Sequence, residues 1–438
     1  MSVVVSEKNS TAEVIAAIEK NLDVTSPVVQ LRKEALSDLS EKGLPGNKSE
    51  EYKHTPLTRL LEKNFSLSQS NAPSNGIDPT PAAIPFVEGN TVVFINGKYA
   101  ADHSRIVSPA SEITILSLRD ALLNHQELVL PFLGKIADHK TDAFTAWNTA
   151  AFVDGVFIHV PDNKTVELPI LVYHIHDVQS GQVISATRNL VVVGKNSEVS
   201  ILEKFDSMGS YNGFSTLVSE VAVAENAGVT WYSIQNDKGN RYQFEFKQFQ
   251  QARSSRVNTF TFTLDGKAIR NNLQLSLDGE GIDSHMHGLY LVGKDTLADN
   301  HTVVDHKQPN SFSNELYKGI IEDSAKGVFN GKIFVRPNAQ KTNAFQANRN
   351  ILLTDKASIN TKPQLEIWAD DVKCSHGCTS GQLDEEALFY LQTRGINKDT
   401  ARAMMLYAFA GELLDTIKHP GIKEYIDTLI SERLHKNF

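Results

Sequence analysis

Residues 362–396 read KPQLEIWADDVKCSHGCTSGQLDEEALFYLQTRGI, and within them a strand pattern gives way to a helix pattern. Apolar and polar side chains alternate from Leu365 to Asp370, which is the period of a half-buried strand. Three carboxylates at 384–386 then precede apolar residues at helical spacing, because acidic side chains favour the first turn of a helix. Gly395 is typical of a helix end. The stretch predicts a β-rich body that passes into a helical C-terminal segment.

Both cysteines of the chain lie in this stretch, within the motif CSHGC at 374–378. If the strand continues to the motif, Cys374 and His376 leave the same face about 7 Å apart along the chain. A thiolate and an imidazole suit iron, copper or zinc, but a closed structural zinc site has four ligands. From residue type alone a packing role for the thiol is favoured over a ligand role, because free cysteine is often buried. Two ligands do not make a complete metal site on this chain, and a site that another chain completes stays open.

The other polar residues of the stretch are assigned to no site. We expect Cys378 to share a face with Cys374 only if the segment is helical, and Gly377 disfavours a helix. Asp370 and Asp371 are neighbours on a strand and point to opposite faces, which predicts turn residues rather than a catalytic carboxylate pair.

Upstream, residues 156–367 consist of short β-rich runs separated by Gly, Asn, Asp or Lys. Long helical patterns are absent there, which disfavours a βαβ domain. The steady spacing favours a solenoid, although periodicity alone leaves a sandwich or a propeller open. Two histidine pairs, His174/His176 and His285/His287, each project to one face of a strand. No third ligand is evident nearby, so we expect hydrogen-bonded or solvated surface side chains.

The N-terminal region has helical patterns that begin near hydroxyl residues. Helices are predicted after Thr11, after Ser26-Pro27 and after Thr55-Pro56, because serine and threonine cap helices and proline suits a first turn. Residues 66–85 are rich in Ser, Asn, Pro and Gly and predict a linker. The dipeptide Asn96-Gly97 between apolar runs predicts a hairpin turn.

The C-terminal region is also helical in pattern. Asn397 is a predicted cap for a helix that ends at 419–421, and a second apolar stripe follows. The predicted segments are a helical region with linker at 1–85, a mixed α/β lead-in at 86–150, a β core at 151–372 and a helical C-terminal domain at 373–438.

Composition limits the class of protein. The 438 residues carry 43 basic and 52 acidic side chains, a formal charge of −9, which argues against a nucleic-acid surface. No apolar run approaches the ~20 residues that span a bilayer, and the N-terminus lacks a signal-peptide pattern. Two cysteines in so long a chain fit a reducing compartment. The cytoplasm is therefore the expected location.

Motifs for nucleotide binding and common catalysis are missing from the sequence. Each Gly-Lys pair lacks the following Ser or Thr of a phosphate-binding loop. There is likewise no GxGxxG after a strand, no GxSxG and no HExxH. We therefore expect a chain that binds no nucleotide and is not itself an enzyme, so that any ATP dependence comes from a partner.

The run from Lys362 to Ile396 resembles the C-terminal signature of the SufB/SufD family, the scaffold subunits of the SUF iron–sulfur cluster assembly machinery. Three upstream blocks resemble the core of that family, and SEEYKHTPL at 49–57 resembles a short N-terminal motif of its SufD branch. The SufD branch is favoured over SufB because SufB proteins are usually longer and carry more cysteines. The resemblance covers most of the chain and weakens before residue 143.

This resemblance implies a fold and partners. The implied fold is mainly β with α ends, a right-handed parallel β-helix flanked by N-terminal and C-terminal helical domains. The implied partners are a SufB-like subunit at the β-helix end and a SufC-like ATPase of the ABC type on the C-terminal helical domain. Cys374 and His376 match residues at the subunit interface and are the candidate ligands of a transient Fe–S cluster shared with the partner. No family role transfers to Cys378.

Two alternatives remain at the level of sequence. One is a SufB-type scaffold, disfavoured by the cysteine count. The other is a β-helix carbohydrate lyase or hydrolase, which predicts a carboxylate-lined groove in an often secreted chain. A homodimer is the alternative state of the isolated chain.

Overall fold

The computed structural model describes residues 2–46, 48–67, 76–85 and 87–434, with only the backbone described for residues 2–9. Part of the predicted linker at 66–85 therefore lies outside the described residues. Within those ranges, no helix is long and apolar enough to cross a membrane.

The described residues form helices at both ends and strands between them. The helices are α1 (Ser2–Lys20), α2 (Val29–Lys42), α3 (Leu57–Asn64), α4 (Leu118–Asn124), α5 (Gln126–Val129), α6 (Ala143–Ala151), α7 (Glu385–Thr393), α8 (Lys398–Leu414) and α9 (Pro420–Arg433). Short 3-10 turns lie at Glu50–Tyr52, Thr80–Ala82 and Ala101–His103. The strands are β1 (Asn90–Ile95), β2 (Lys98–Tyr99), β3 (Thr114–Ser117), β4 (Val156–Val160), β5 (Ile170–Val178), β6 (Val183–Val193), β7 (Glu198–Gly209), β8 (Gly213–Val223), β9 (Gly228–Asn236), β10 (Arg241–Gln251), β11 (Arg256–Asp265), β12 (Ala268–Leu277), β13 (Asp283–Val292), β14 (Leu297–His306), β15 (Phe312–Ile321), β16 (Lys326–Val335), β17 (Asn343–Leu352), β18 (Ser358–Ile367) and β19 (Lys373–Gly381).

The strands from β4 onward coil into a parallel β-helix of two sheets. Odd-numbered strands from β5 to β19 form one sheet and even-numbered strands from β4 to β18 form the other, each pairing in parallel with the strand two positions away. We call these sheet A and sheet B. The predicted β-helix is therefore confirmed, and the sandwich and propeller that periodicity left open are excluded. The coil has about eight turns.

Asparagine in the left-handed backbone region marks the repeated corners of the coil. Asn163, Asn196 and Asn226 have φ between 55° and 60°, a conformation that asparagine tolerates better than most residues. Their side chains form a ladder, with Asn226 Nδ2 donating to Asn196 Oδ1 at 2.9 Å and Asn196 Nδ2 donating to Asn163 Oδ1 at 2.8 Å. At the start of the body, Asn96 and Gly97 also have positive φ and join β1 to β2, which confirms the predicted hairpin turn.

The interior of the coil is mostly apolar but holds a charged group near its N-terminal half. The buried Glu203 carboxylate lies 3.0 Å from Lys247 Nζ and 3.3 Å from His174 Nε2, and it accepts a hydrogen bond from Trp231 Nε1 at 2.8 Å. Glu245 lies 2.7 Å from the same lysine. Burial opposes ionisation of Glu203, but Lys247 and His174 lower its pKa to about 2.

The prediction of surface histidines was wrong for three of the four residues. His174, His176 and His287 are buried, and only His285 is half-exposed. His174 and His176 point into the coil because β5 presents alternate residues to the interior, where His176 Nε2 lies 2.7 Å from Ser185 Oγ. A single-strand pattern does not distinguish the inner from the outer face of a coil.

The N-terminal helices cover the outer face of sheet B. Phe144 of α6 stacks on Phe244 of β10, with ring centroids 5.1 Å apart. Buried Arg188 donates to Glu220 Oε2 at 2.9 Å, and Glu220 also accepts three backbone N–H groups from residues 134–137. The segment 50–55 lies over β14 and β16, where Glu51 pairs with Lys332 at 2.7 Å. These contacts join the N-terminal region to the coil.

The C-terminal helices α8 and α9 pack on the outer face of sheet A. Leu406, Ala410 and Ile426 share a core cluster with Leu289 and other residues of the sheet. The predicted cap at Asn397 and the helix end at Gly395 are present, and Asp384, predicted in the first turn of α7, is instead its N-cap. The apolar stripes therefore bury against the β-helix.

Three boundaries differ from the sequence analysis. α1 begins at Ser2, well before Thr11, and α2 begins at Val29, two residues after Pro27. The β-helix continues past residue 372 because β19 pairs along its length with β17, and the helices begin only at Glu385. The CSHGC motif is therefore part of the coil, not of the helical domain.

Candidate functional site

The last turn of the β-helix leaves two strand edges unpaired within the described chain. β18 and β19 are the final strands of sheets B and A, and each pairs on one side only. The residues of β18 are half-buried or exposed, and all residues of β19 except Cys374 are exposed. We call this last turn, 358–381, the open end.

Cys374, His376 and Cys378 form one row on the interior side of β19. The Cys374 side chain packs against the interior core cluster. Cys378 Sγ lies 3.2 Å from the hydroxyl of Thr361, across the coil on β18, to which the thiol donates. Because alternate residues of a strand share a face, His376 between them has the same orientation. The expectation that Cys378 joins this face only in a helix was wrong, because residues two and four apart both share a face in a strand.

The spacing of the row limits what it can bind. Side chains two residues apart on a strand are about 7 Å apart at the backbone, and those four apart are about 13 Å apart. A metal ion needs its donors within about 2.0–2.3 Å of itself. His376 can therefore share an ion with either thiol but not with both. In agreement, no group of three His, Cys, Asp or Glu side chains within the described ranges is placed to hold a metal.

The two thiols differ in their surroundings. Cys374 is half-buried and Cys378 is exposed. Burial raises the pKa of the Cys374 thiol, against the opposing effect of a backbone hydrogen bond at Ala344. The Cys374 thiol is therefore protonated at neutral pH in the isolated chain.

Two buried polar side chains lie beneath His376 in register. Gln346 of β17 is the partner of His376, and Glu315 of β15 is the partner of Gln346. Gln346 Nε2 donates to Glu315 Oε2 at 2.7 Å. Burial raises the pKa of Glu315 to about 7. Near neutral pH this carboxyl is therefore partly protonated, so the layer beneath His376 carries less than a full negative charge.

Sequence reasoning found Cys374 and His376 but missed the rest of the row. The structure places both predicted residues on the open end, as the same-face argument required. It adds Cys378 and Thr361 around the row, and Gln346 and Glu315 below it. The repeat length of the coil could have identified Gln346 and Glu315 from the sequence. Gln346 precedes His376 by 30 residues and Glu315 precedes Gln346 by 31, each close to one turn.

Comparison with known proteins gives matches along nearly the whole chain. Residues 175–409 match the core domain described as "SUF system FeS cluster assembly, SufBD core domain", and residues 12–172 match the "SufBD protein N-terminal region". A SufBD family iron–sulfur cluster assembly protein of Synechocystis is 33% identical over 93% of this chain and 91% of its own length. The iron–sulfur cluster assembly protein SufD of Escherichia coli is 30% identical over 91% of each chain. SufD of Bacillus subtilis is 24% identical over 92% of this chain and 93% of its own.

These matches cover the N-terminal region, the β-helix and the start of the C-terminal helices, so they agree with the architecture and with the resemblance seen in the sequence. The row of Cys374, His376 and Cys378 lies inside the matched core. The chain belongs to the SufBD family of iron–sulfur cluster assembly proteins.

Proposed function

We propose that this chain is a SufD-type scaffold subunit that pairs with a SufB-like subunit, binds a SufC-like ATPase and presents ligands to a nascent iron–sulfur cluster. The observation that carries the proposal is the Cys374–His376 pair on an uncovered turn of the β-helix. The cluster is cargo rather than a resident cofactor, and the chain acts as a scaffold rather than as an enzyme. The reducing compartment expected from the cysteine content stays a prediction.

The open end supports pairing with a second β-helix. Unpaired strand edges present rows of N–H and C=O groups that another strand can join. A SufB-like subunit that adds its own last strands to β18 and β19 would cover these edges and bring further ligands to His376. A second copy of this chain is the alternative occupant when the chain is alone.

The helical segment after the coil supports docking of the ATPase. Phe389 and Tyr390 of α7 are 65% and 56% exposed, whereas α8 and α9 bury their apolar stripes on sheet A. Adjacent exposed aromatic side chains are typical of protein interfaces. Force from nucleotide-driven movement of the ATPase would reach the open end through the short connection from β19 to α7.

A two-ligand site suits cluster assembly. An imidazole and a thiol bind iron, but an incomplete ligand set on one chain holds it weakly and releases a finished cluster readily. The layer below His376 supports this role because a partly protonated Glu315 carries less than a full negative charge to retain a cation.

We expect His376→Ala to leave the three-subunit complex assembled and to abolish cluster formation. His376 contributes a ligand, whereas the interface depends on backbone edges and neighbouring side chains. The measurement is co-purification with SufB-like and SufC-like subunits, followed by anaerobic reconstitution read as iron and sulfide per complex.

Ser375→Ala is the matched control, since Ser375 lies on the same strand and points to the opposite face. It should leave cluster yield unchanged. Normal cluster yield from His376→Ala would refute the ligand role, and failure of the wild-type chain to bind either partner would refute the scaffold role.

A further inference from the structure

Cys378 follows His376 by two residues on β19, just as Cys374 precedes it by two. Both thiols are two residues from the imidazole on the interior side of β19. The spacing that allows a Cys374–His376 pair therefore allows a His376–Cys378 pair equally. Because one ion cannot reach both thiols, the two pairs compete for the same histidine.

The Cys374–His376 and His376–Cys378 pairs differ in their access to solvent. Cys374 is half-buried against the interior cluster, so an ion that enters from solvent must displace packing contacts to reach its sulfur. Cys378 and His376 are both exposed. In a chain without its partner, the exposed pair needs no rearrangement of the core.

Two polar groups near the exposed pair can support bound metal. The Thr361 hydroxyl, 3.2 Å from Cys378 Sγ, accepts a hydrogen bond from the thiol, and by rotating it can donate one to a thiolate. Gln346 is buried, and while its Nε2 is used by Glu315, its Oε1 has no hydrogen-bond partner. Gln346 is the register partner of His376, so this oxygen can accept the ring N–H that the metal does not use. Such contacts orient metal ligands.

We infer that His376 and Cys378 form a second binding pair that takes a thiophilic divalent cation, such as Fe²⁺, Zn²⁺ or Co²⁺, when the chain is free of its partner. On binding, the Cys378 thiol releases its proton to solvent, the sulfur and one ring nitrogen bind the ion, and water fills the remaining positions. This inference rests on the proposed function only in using His376 as a ligand. Cys374 remains available for the assembled complex.

Co²⁺ binding to the full-length chain under anaerobic conditions tests the inference, because a bound thiolate gives a cobalt charge-transfer band. We expect the band in the wild-type chain and in Cys374→Ser, and its loss in Cys378→Ser and His376→Ala. Thr361→Val should weaken binding roughly tenfold, with Thr361→Ser as its hydroxyl-retaining control. Bound Co²⁺ should also slow alkylation of Cys378 by iodoacetamide, read by peptide mass spectrometry.

The opposite pattern, with the band lost in Cys374→Ser and kept in Cys378→Ser, would overturn the inference and leave the proposed function intact. The absence of a band in the wild-type chain would also overturn it, as would a band that persists in Cys374→Ser and in Cys378→Ser alike. Cluster yield in the reconstituted complex is the separate readout for the proposed function, so the two can fail independently.

Discussion

Replacing Lys247 with methionine is expected to lower the free energy of unfolding by about 3–5 kcal/mol at pH 7, the usual cost of breaking a buried ion pair. Lys247 Nζ lies 3.0 Å from Glu203 and 2.7 Å from Glu245, and it donates to Ser233 Oγ at 2.8 Å. All of these side chains are buried inside the coil. Methionine fills a similar volume but leaves two carboxylates without their cation.

This loss should depend on pH in a defined direction. In the wild-type chain, Lys247 and His174 hold the pKa of Glu203 at about 2 despite burial, below its ordinary value of 4.5. A depressed carboxyl pKa contributes stability above about pH 4.5 that is lost as pH falls toward 2. Without Lys247, burial dominates and raises the Glu203 pKa. The variant is therefore destabilised by its buried charge at neutral pH, and this destabilisation disappears in acid, where the carboxyl is protonated. The difference between the two chains should therefore shrink from pH 7 to pH 4.

Urea unfolding at both pH values measures the difference. The control is the triple variant Lys247→Met, Glu203→Gln and Glu245→Gln, which removes the unpaired charges together with the lysine and should recover much of the loss. An equal loss at pH 4 and pH 7 would contradict the electrostatic explanation and assign the effect to packing around Trp231.

The same charged group shows why the fold could be predicted only in part from the chain itself. Short β runs and turn residues predict a β body, and the helix cap at Asn397 and the acidic start of α7 are local signals that the structure confirms. The prediction of a β-helix depended on the family resemblance, because strands with Glu203 or Lys247 facing inward do not show the alternation of a half-buried strand. Pairing between residues about thirty positions apart supplies the missing information.

The candidate site was predictable where chemistry is local and not where it depends on register. A period of two places Cys374 and His376 on one face, whereas their proposed role as ligands came from the family resemblance. Thr361 comes near Cys378 only because sheets A and B face each other across the coil. Gln346 and Glu315 lie below His376 only because successive turns are in register. Neither relation is visible in a window of a few residues.

Glu315→Gln is expected to stabilise the chain at pH 8 by up to about 3 kcal/mol and to have little effect at pH 4.5. Burial raises the Glu315 pKa from 4.5 to about 7, and each pKa unit corresponds to about 1.36 kcal/mol. A carboxyl whose pKa is raised by folding contributes no penalty below its unfolded pKa, and its cost grows until the pH exceeds the folded pKa. Ionisation of Glu315 therefore lowers the free energy of unfolding of the wild-type chain as the pH rises from about 4.5 to 7.

Glutamine keeps the shape of the side chain and an oxygen that can accept from Gln346 Nε2, but it has no charge to bury. The gain should therefore appear as a difference in thermal midpoint that widens from pH 4.5 to 8, and Glu366→Gln on the exposed side of β18 should show no such trend. A pH-independent difference for Glu315→Gln would mean that Glu315 does not change its protonation within this range. If the trend is observed, the buried carboxyl of Glu315, two strands below His376, lowers the free energy of unfolding at neutral pH and above. Such a cost at a site that packing alone would fill with an apolar residue favours a role in the chemistry of the open end.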